Sequence, residues 1–145
     1  MARRILVPVD GSENALRAAD FAAGLAESSP GTEVTLLHVC SGPEACAMPG
    51  RANWFSREKW EVEIRAHAEA ILRRAERPFK ARNLTPVTLI KVGDPARTIV
   101  EIAGEEGYNQ IVMGSRGLSN VKGLVLGSVS HKVISLSGVP VTIVK

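Results

Sequence analysis

Polar and apolar positions divide the chain into short apolar runs separated by longer stretches with a helical repeat. Ile5-Leu6-Val7-Pro8-Val9 is unbroken and stops at Asp10-Gly11-Ser12; from Glu13 to about Glu27, Ala15, Leu16, Ala19, Ala22, Ala23 and Ala26 then share one stripe. This predicts a strand, a turn and a helix, with Ser12 as N-cap and Glu13 complementing the helix dipole. Small residues in the stripe permit close packing on a sheet. Val34 to Val39 predicts a second buried strand. Cys40 to Phe55, rich in Gly, Pro and small residues, predicts the long loop of the chain, and Ser56 is placed to cap a long helix. Between Arg57 and Arg82 the residues Trp60, Ile64, Ala68, Ile71, Ala75 and Phe79 recur at intervals of three and four, which makes one helix face. Val87 to Val92 predicts a third strand, and Gly93-Asp94-Pro95 turns into a short helix through about Glu106. A fourth strand at Gln110 to Met113, a helix from about Ser128 to Ser137 and a last strand at Val139 to Val144 complete the pattern.

Apolar strands alternating with helices predict an α/β fold, an open parallel sheet with right-handed crossovers and helices on both faces. No internal repeat or linker interrupts it, so residues 1–145 read as one domain. Ligands of such sheets bind beyond the carboxyl ends of the strands, where strand order reverses. The Asp10 turn and the loop after Met113 both stand at carboxyl ends. They converge on one crevice if the first and fourth strands are neighbours.

The loop after Met113 carries the most specific chemistry. It reads Gly114-Ser115-Arg116-Gly117, then nine residues, then Gly127-Ser128-Val129-Ser130 at a helix start. Glycines let a backbone approach an anion closely, and the unpaired N–H groups and positive dipole end of the helix attract phosphate. The pattern points to a phosphorylated small molecule, a nucleotide before others.

Composition narrows the alternatives. With 45% apolar residues the chain can bury a core, and no apolar run reaches the roughly 18 to 20 residues of a membrane span. The apolar stretch near Met1 is too short for a signal peptide, which makes a cytoplasmic location the expectation. Cys40 and Cys46 lack the spacing of a zinc site and read as free thiols. The net charge of +3, with 4% aromatic residues and no long basic run, does not describe a nucleic-acid surface. Glu58, Glu61 and Glu63 near the start of the long helix, with Arg73, Arg74, Arg77, Lys80 and Arg82 near its end, oppose the helix dipole and account for the basic cluster.

In its order of pieces the chain resembles the universal stress protein family, in its nucleotide-binding branch. The resemblance spans nearly the whole chain: Ile5 to Ser12, the Leu36-Leu37-His38-Val39 strand, the Val92-Gly93-Asp94-Pro95 turn, and the run from Ile111 to Gly117 followed by Gly127 to Ser130. The family signature is Gly, two residues, Gly, nine residues, Gly, then Ser or Thr; Gly114, Gly117, Gly127 and Ser128 meet it without a gap. The resemblance implies strand order 3-2-1-4-5, a Rossmann-like sheet similar to the adenine nucleotide alpha hydrolase fold, with its crevice between the first and fourth strands. It further implies ATP as ligand, with Mg²⁺ as an open addition, and a homodimer joined through the C-terminal strand. By the same resemblance Asp10 would accept hydrogen bonds from ribose hydroxyls and the Val39 backbone would pair with the adenine edge. Pro8, Val9 and Met113 would pack near the nucleoside. Gly114, Arg116 and Gly117 would line the phosphate loop, and Gly127, Ser128, Val129 and Ser130 would offer backbone amides, with the hydroxyls of the two serines, to the phosphates.

Each residue also has a plainer role. Asp10 suits a turn, Gly114 and Gly117 an ordinary loop, Gly127-Ser128 an ordinary helix start and Arg116 a solvated loop charge. His38 reads as a packed strand residue, and His67 and His131 as helix-surface residues. For function, a nucleotide-dependent stress-response regulator competes with a slow ATPase or nucleotide-transfer enzyme and with a nucleotide-free interaction module. The P-loop pattern Gly-x-x-x-x-Gly-Lys-Ser/Thr is absent and no conspicuous base stands near the glycine loop, which favours binding over turnover. The protein partner, the inducing stress and the choice among adenine and cyclic nucleotides are not written in these residues.

Overall fold

In the computed structural model, which describes residues 2–41, 57–117 and 126–145, strands and helices alternate from end to end. The strands are β1 (Arg4–Pro8), β2 (Glu33–Cys40), β3 (Val87–Val92), β4 (Gln110–Gly114) and β5 (Val141–Val144); the helices are α1 (Glu13–Ser28), α2 (Arg57–Lys80), α3 (Pro95–Glu105) and α4 (Ser128–Leu136). All strand pairs are parallel, in the order β3-β2-β1-β4-β5. The first and fourth strands are therefore neighbours.

The helices start and stop for local reasons. Ser12 caps α1 by accepting from the Ala15 N–H at 3.1 Å, and Asp94 caps α3 by accepting from the Arg97 N–H at 3.0 Å, with Pro95 at the first helical position. Past α2, Asn83 adopts φ 57°, and the Leu84 N–H returns to the Phe79 carbonyl while the Asn83 N–H returns to that of Lys80. This paired return satisfies carbonyls at the helix end.

Helices cover both faces of the sheet. Ile5, Val7, Val9 and Leu36 pack with the alanines of α1 and with Ile71, Leu72, Ala75 and Phe79 of α2. On the other face Leu6, Leu37, Ile111 and Met113 pack with Ala96, Ile99, Ile102 and Ala103 of α3 and Val133 of α4. Alternation along buried strands sends successive residues to opposite faces.

Several boundaries differ from the sequence expectation. Cys40 is the buried last residue of β2 and does not belong to the loop, because β3 extends far enough to pair with it. β5 begins at Val141, since Ser137 and Val139 close a turn in which the Ser137 hydroxyl both donates to the Val139 carbonyl and accepts its N–H. β1 ends at Pro8, although the Val9 N–H still reaches the Leu37 carbonyl at 2.8 Å. Beyond Ser41 the expected loop, with Cys46 and the Ser56 cap, lies outside the described residues, as does the side chain of Trp60.

Candidate functional site

The crevice opens because β1 and β4 part before either strand ends. Their register stops at Leu6↔Ile111. The Val9 N–H faces β2, so the nitrogen of Pro8, one residue earlier, faces β4; proline has no hydrogen there to continue the ladder. Beyond this fork lies a cavity of about 600 Å³, within the usual range of small-molecule sites. Pro8, Val9, Asp10, Val39, Met113, Gly114, Arg116, Gly117, Gly127, Ser128, Val129 and Ser130 all line it.

On the β2 side the cavity meets bare backbone. The Leu37 carbonyl faces β1, and so do the N–H and C=O of Val39 two residues on; opposite Val39 the chain has already turned away at Asp10. The Val9 carbonyl accepts instead from Nδ1 of His38 at 2.8 Å. Among the described residues, no backbone group pairs with the Val39 N–H on this side.

At the centre, Asp10 divides its carboxylate between two tasks. Oδ1 accepts from the Ser12 N–H at 2.9 Å and fixes the turn into α1. Oδ2 stands against Gly117, where a Cβ would come within 2.7 Å of it. The turn thus occupies one oxygen of this cavity-lining residue and leaves the other beside Gly117.

On the β4 side the glycine loop and α4 come together. The Gly127 N–H donates to the Ser115 carbonyl at 2.7 Å, and the first helical bond of α4 runs from the His131 N–H to the Gly127 carbonyl at 3.0 Å. The amides of Ser128, Val129 and Ser130 precede that bond and form the unpaired helix end. Two of the expected donors are corrected here. Gly127 commits its amide to the loop itself, and Ser130, only 3% exposed, commits its hydroxyl proton to the Gly114 carbonyl at 2.9 Å. Ser128 is exposed and lines the cavity.

The signature glycines have different causes. A Cβ on Gly114 would lie 2.7 Å from the Asn14 carbonyl carbon, so its bareness admits the backbone of α1. On Gly127 the nearest atom would be the Arg116 Cα at 3.4 Å, an ordinary contact. Gly117 alone is bare on account of Asp10. Its empty position leaves a concavity that a side chain would fill, beside a helix end suited to phosphate, and so the residues present fit a nucleotide.

Sequence reasoning missed several lining residues, among them His38, Cys40, Ser41, Ile64, His67 and Ile99. It also missed buried Asn14, whose Nδ2 donates to the Ser115 hydroxyl at 3.3 Å and ties α1 to the glycine loop. A polar residue beside a stripe of alanines was the available signal. A smaller cavity of about 350 Å³ adjoins the first across Ser12, Arg116 and Gly117; Arg17 of α1 and Arg74 of α2 also line it.

Comparison with known proteins bears out the fold. The model of the universal stress protein family matches residues 1–145. Universal stress protein YxiE of Bacillus subtilis is 36% identical over 151 residues, covering 100% of both chains. Universal stress protein MJ0577 of Methanocaldococcus jannaschii is 33% identical over 156 residues, covering 100% of this chain and 96% of its own. The solved structure of MJ0577 has a TM-score of 0.81 to this one at 32% identity, covering 100% of this chain and 96% of that one. A universal stress protein crystallised in complex with cAMP has a TM-score of 0.69 at 28% identity, covering 99% of this chain and 96% of that one.

Proposed function

This chain belongs to the universal stress protein family, and from that premise we propose that it is a nucleotide-dependent regulatory protein that holds ATP in the crevice between β1 and β4. One observation carries the reading: a single cavity presents a bare backbone donor and acceptor at Val39 on one side of β1 and the unpaired amides of α4 on the other. β2 and β4 are two strand spacings apart, about 10 Å, a span that a nucleoside bridges. The base lies against Val39, with Pro8, Val9 and Met113 around the nucleoside. The ribose diol donates to Asp10 Oδ2, and the phosphates meet Gly117 and the amides of Ser128, Val129 and Ser130. The adenine complex formed by the cAMP-bound relative supports the choice of base.

Arginine favours a long phosphate chain. Arg17, Arg74 and Arg116 line the adjoining cavity together with Glu13, which lies 4.0 Å from Arg74, while Arg17 Nε donates to the Lys145 carbonyl. Guanidinium groups match phosphate oxygens in a planar, bidentate manner. Among the described residues no three His, Cys, Asp or Glu side chains form a metal cage. A Mg²⁺ ion would come on the nucleotide's own phosphates, as this ion commonly does.

Regulation follows from what one ligand joins. An occupied crevice ties the ends of β2, β1 and β4 to α4, and a partner that contacts this rim meets a different surface when it is empty. Mass analysis of nucleotide released from denatured, freshly purified protein tests the reading, together with calorimetry of the stripped protein. ATP or another adenine nucleotide should be recovered and rebind; absence of both co-purified nucleotide and binding heat at millimolar ATP would refute it.

A further inference from the structure

We infer that His38 is a positioning residue for the nucleobase: by occupying the Val9 carbonyl it keeps the Val39 N–H out of the β1–β2 ladder and open to a ligand. The inference rests on the reading of the crevice as an adenine-nucleotide site. In a parallel ladder, a residue facing its neighbour donates to one residue of the opposite strand and accepts from the residue two positions further on. β1 and β2 follow this rule up to the bond from the Val9 N–H to the Leu37 carbonyl at 2.8 Å. One further step would join the Val39 N–H to the Val9 carbonyl. That bond is missing among the backbone pairs of the described residues, and the Val9 carbonyl accepts from His38 Nδ1 at 2.8 Å instead.

The side chain is built for this substitution. A carbonyl oxygen can only accept, so in this bond Nδ1 carries the proton and is the donor. His38 is 9% exposed, and His67 meets its ring edge-on, with centroids 6.3 Å apart and planes at 79°. The imidazole is thereby held against the turn. The Val39 C=O faces the same side as its N–H, so the strand offers a donor next to an acceptor. The adenine edge offers the complement, acceptor N1 beside the N6 amino donor. Without the imidazole, the Val9 carbonyl and the Val39 N–H would satisfy each other, since a buried carbonyl is rarely left unpaired. β1 and β2 would then zip one bond further and shut the recognition edge.

Amide hydrogen exchange by NMR on the nucleotide-free full chain tests the backbone half of this claim. The Val39 amide should exchange freely in the wild type and become protected at least about ten-fold in His38→Phe, by the new ladder bond. Titration tests the ligand half. ATP should bind His38→Phe about ten-fold more weakly, the loss expected for one hydrogen bond. 1-Deaza-ATP, which lacks the N1 acceptor, should bind the wild type about that much more weakly than ATP and lose little more in the variant, since both changes remove the same contact. His38→Asn keeps a donor on Cγ, where Nδ1 stands, and should restore both exchange and affinity. Unchanged Val39 exchange in a folded His38→Phe variant would overturn the role, and so would equal wild-type affinity for ATP and 1-deaza-ATP, a result that needs no variant to fold. A wild type that binds no adenine nucleotide would instead refute the crevice reading, and the exchange comparison would still decide whether His38 holds the ladder open.

Discussion

Four residues of this site are bare or acidic for reasons that separate binding from stability. Among the described residues, a Cβ at Gly117 meets only the carboxylate of Asp10, at Oδ2, while Oδ1 is already tied to the Ser12 N–H. Gly117→Ala should therefore turn the carboxylate out of the crevice and weaken ATP by at least about ten-fold, the scale of a hydrogen bond to a charged group, with little change in melting temperature. At Gly114 a Cβ meets the backbone of α1, which cannot rotate aside. Gly114→Ala should cost about 2 kcal/mol of stability, read from urea unfolding, as for other overpacked positions. Gly127→Ala should change either quantity least, since its nearest contact is already at an ordinary distance. If all three lose affinity and stability together, these separate causes are wrong. Asp10→Ala should weaken ATP about ten-fold or more but leave the 2′,3′-dideoxy analogue almost unaffected, because only the ribonucleotide presents a diol. Equal losses in calorimetry would remove the ribose role.

Among the elements, α1 links packing to the site most directly. Ala18, Ala19, Ala22 and Ala23 are fully buried against the sheet, and the helix begins at the cap that also fixes Asp10. A larger side chain has no space there. Ala19→Leu should cost about 2 kcal/mol by forcing α1 off the sheet, and should weaken ATP as well, because the helix carries the Asp10 turn and Asn14 with it. Ser12→Ala removes only the cap bond and should cost about 1 kcal/mol. Urea melts and titrations of both variants check the order. α2 shows how little of a helix a repeat must specify: Pro78 stands inside it without ending it, one turn before the Asn83 return closes the helix.

For the whole molecule the open question is the sheet's edge. β5 pairs with β4 alone among the described strands, and its residues are half-buried and apolar apart from Thr142. The Val144 carbonyl and the Pro140 carbonyl accept from β4 and its loop, so the backbone groups of Val141 and Ile143 face outward. Such an edge is a template for another chain. Antiparallel pairing of two β5 edges about a two-fold axis would close it and place two crevices in one particle. Sedimentation should find a dimer at micromolar concentration, and Ile143→Pro, which removes an outward N–H while leaving the β4 ladder intact, should give monomers. A monomeric wild type, or an Ile143→Pro variant that remains dimeric, would exclude this interface.

What the sequence determined by itself was whatever local chemistry dictates. Apolar runs and the alanine stripe marked the strands and α1, Ser12 the cap of α1, Gly93-Asp94-Pro95 the turn into α3, and the spacing from Gly114 to Ser128 the glycine loop, because side-chain periodicity and capping act over a few neighbouring residues. Family resemblance extended this to strand order. Tertiary structure decided how the pieces face one another. It assigned Gly114 to Asn14 and Gly117 to Asp10, set the Ser130 hydroxyl on the Gly114 carbonyl, and set His38 on the carbonyl of Val9. These choices join residues far apart in the chain, where periodicity is silent. Which donor meets which acceptor depends on the register of packed strands and helices, and that register exists only once the sheet has formed.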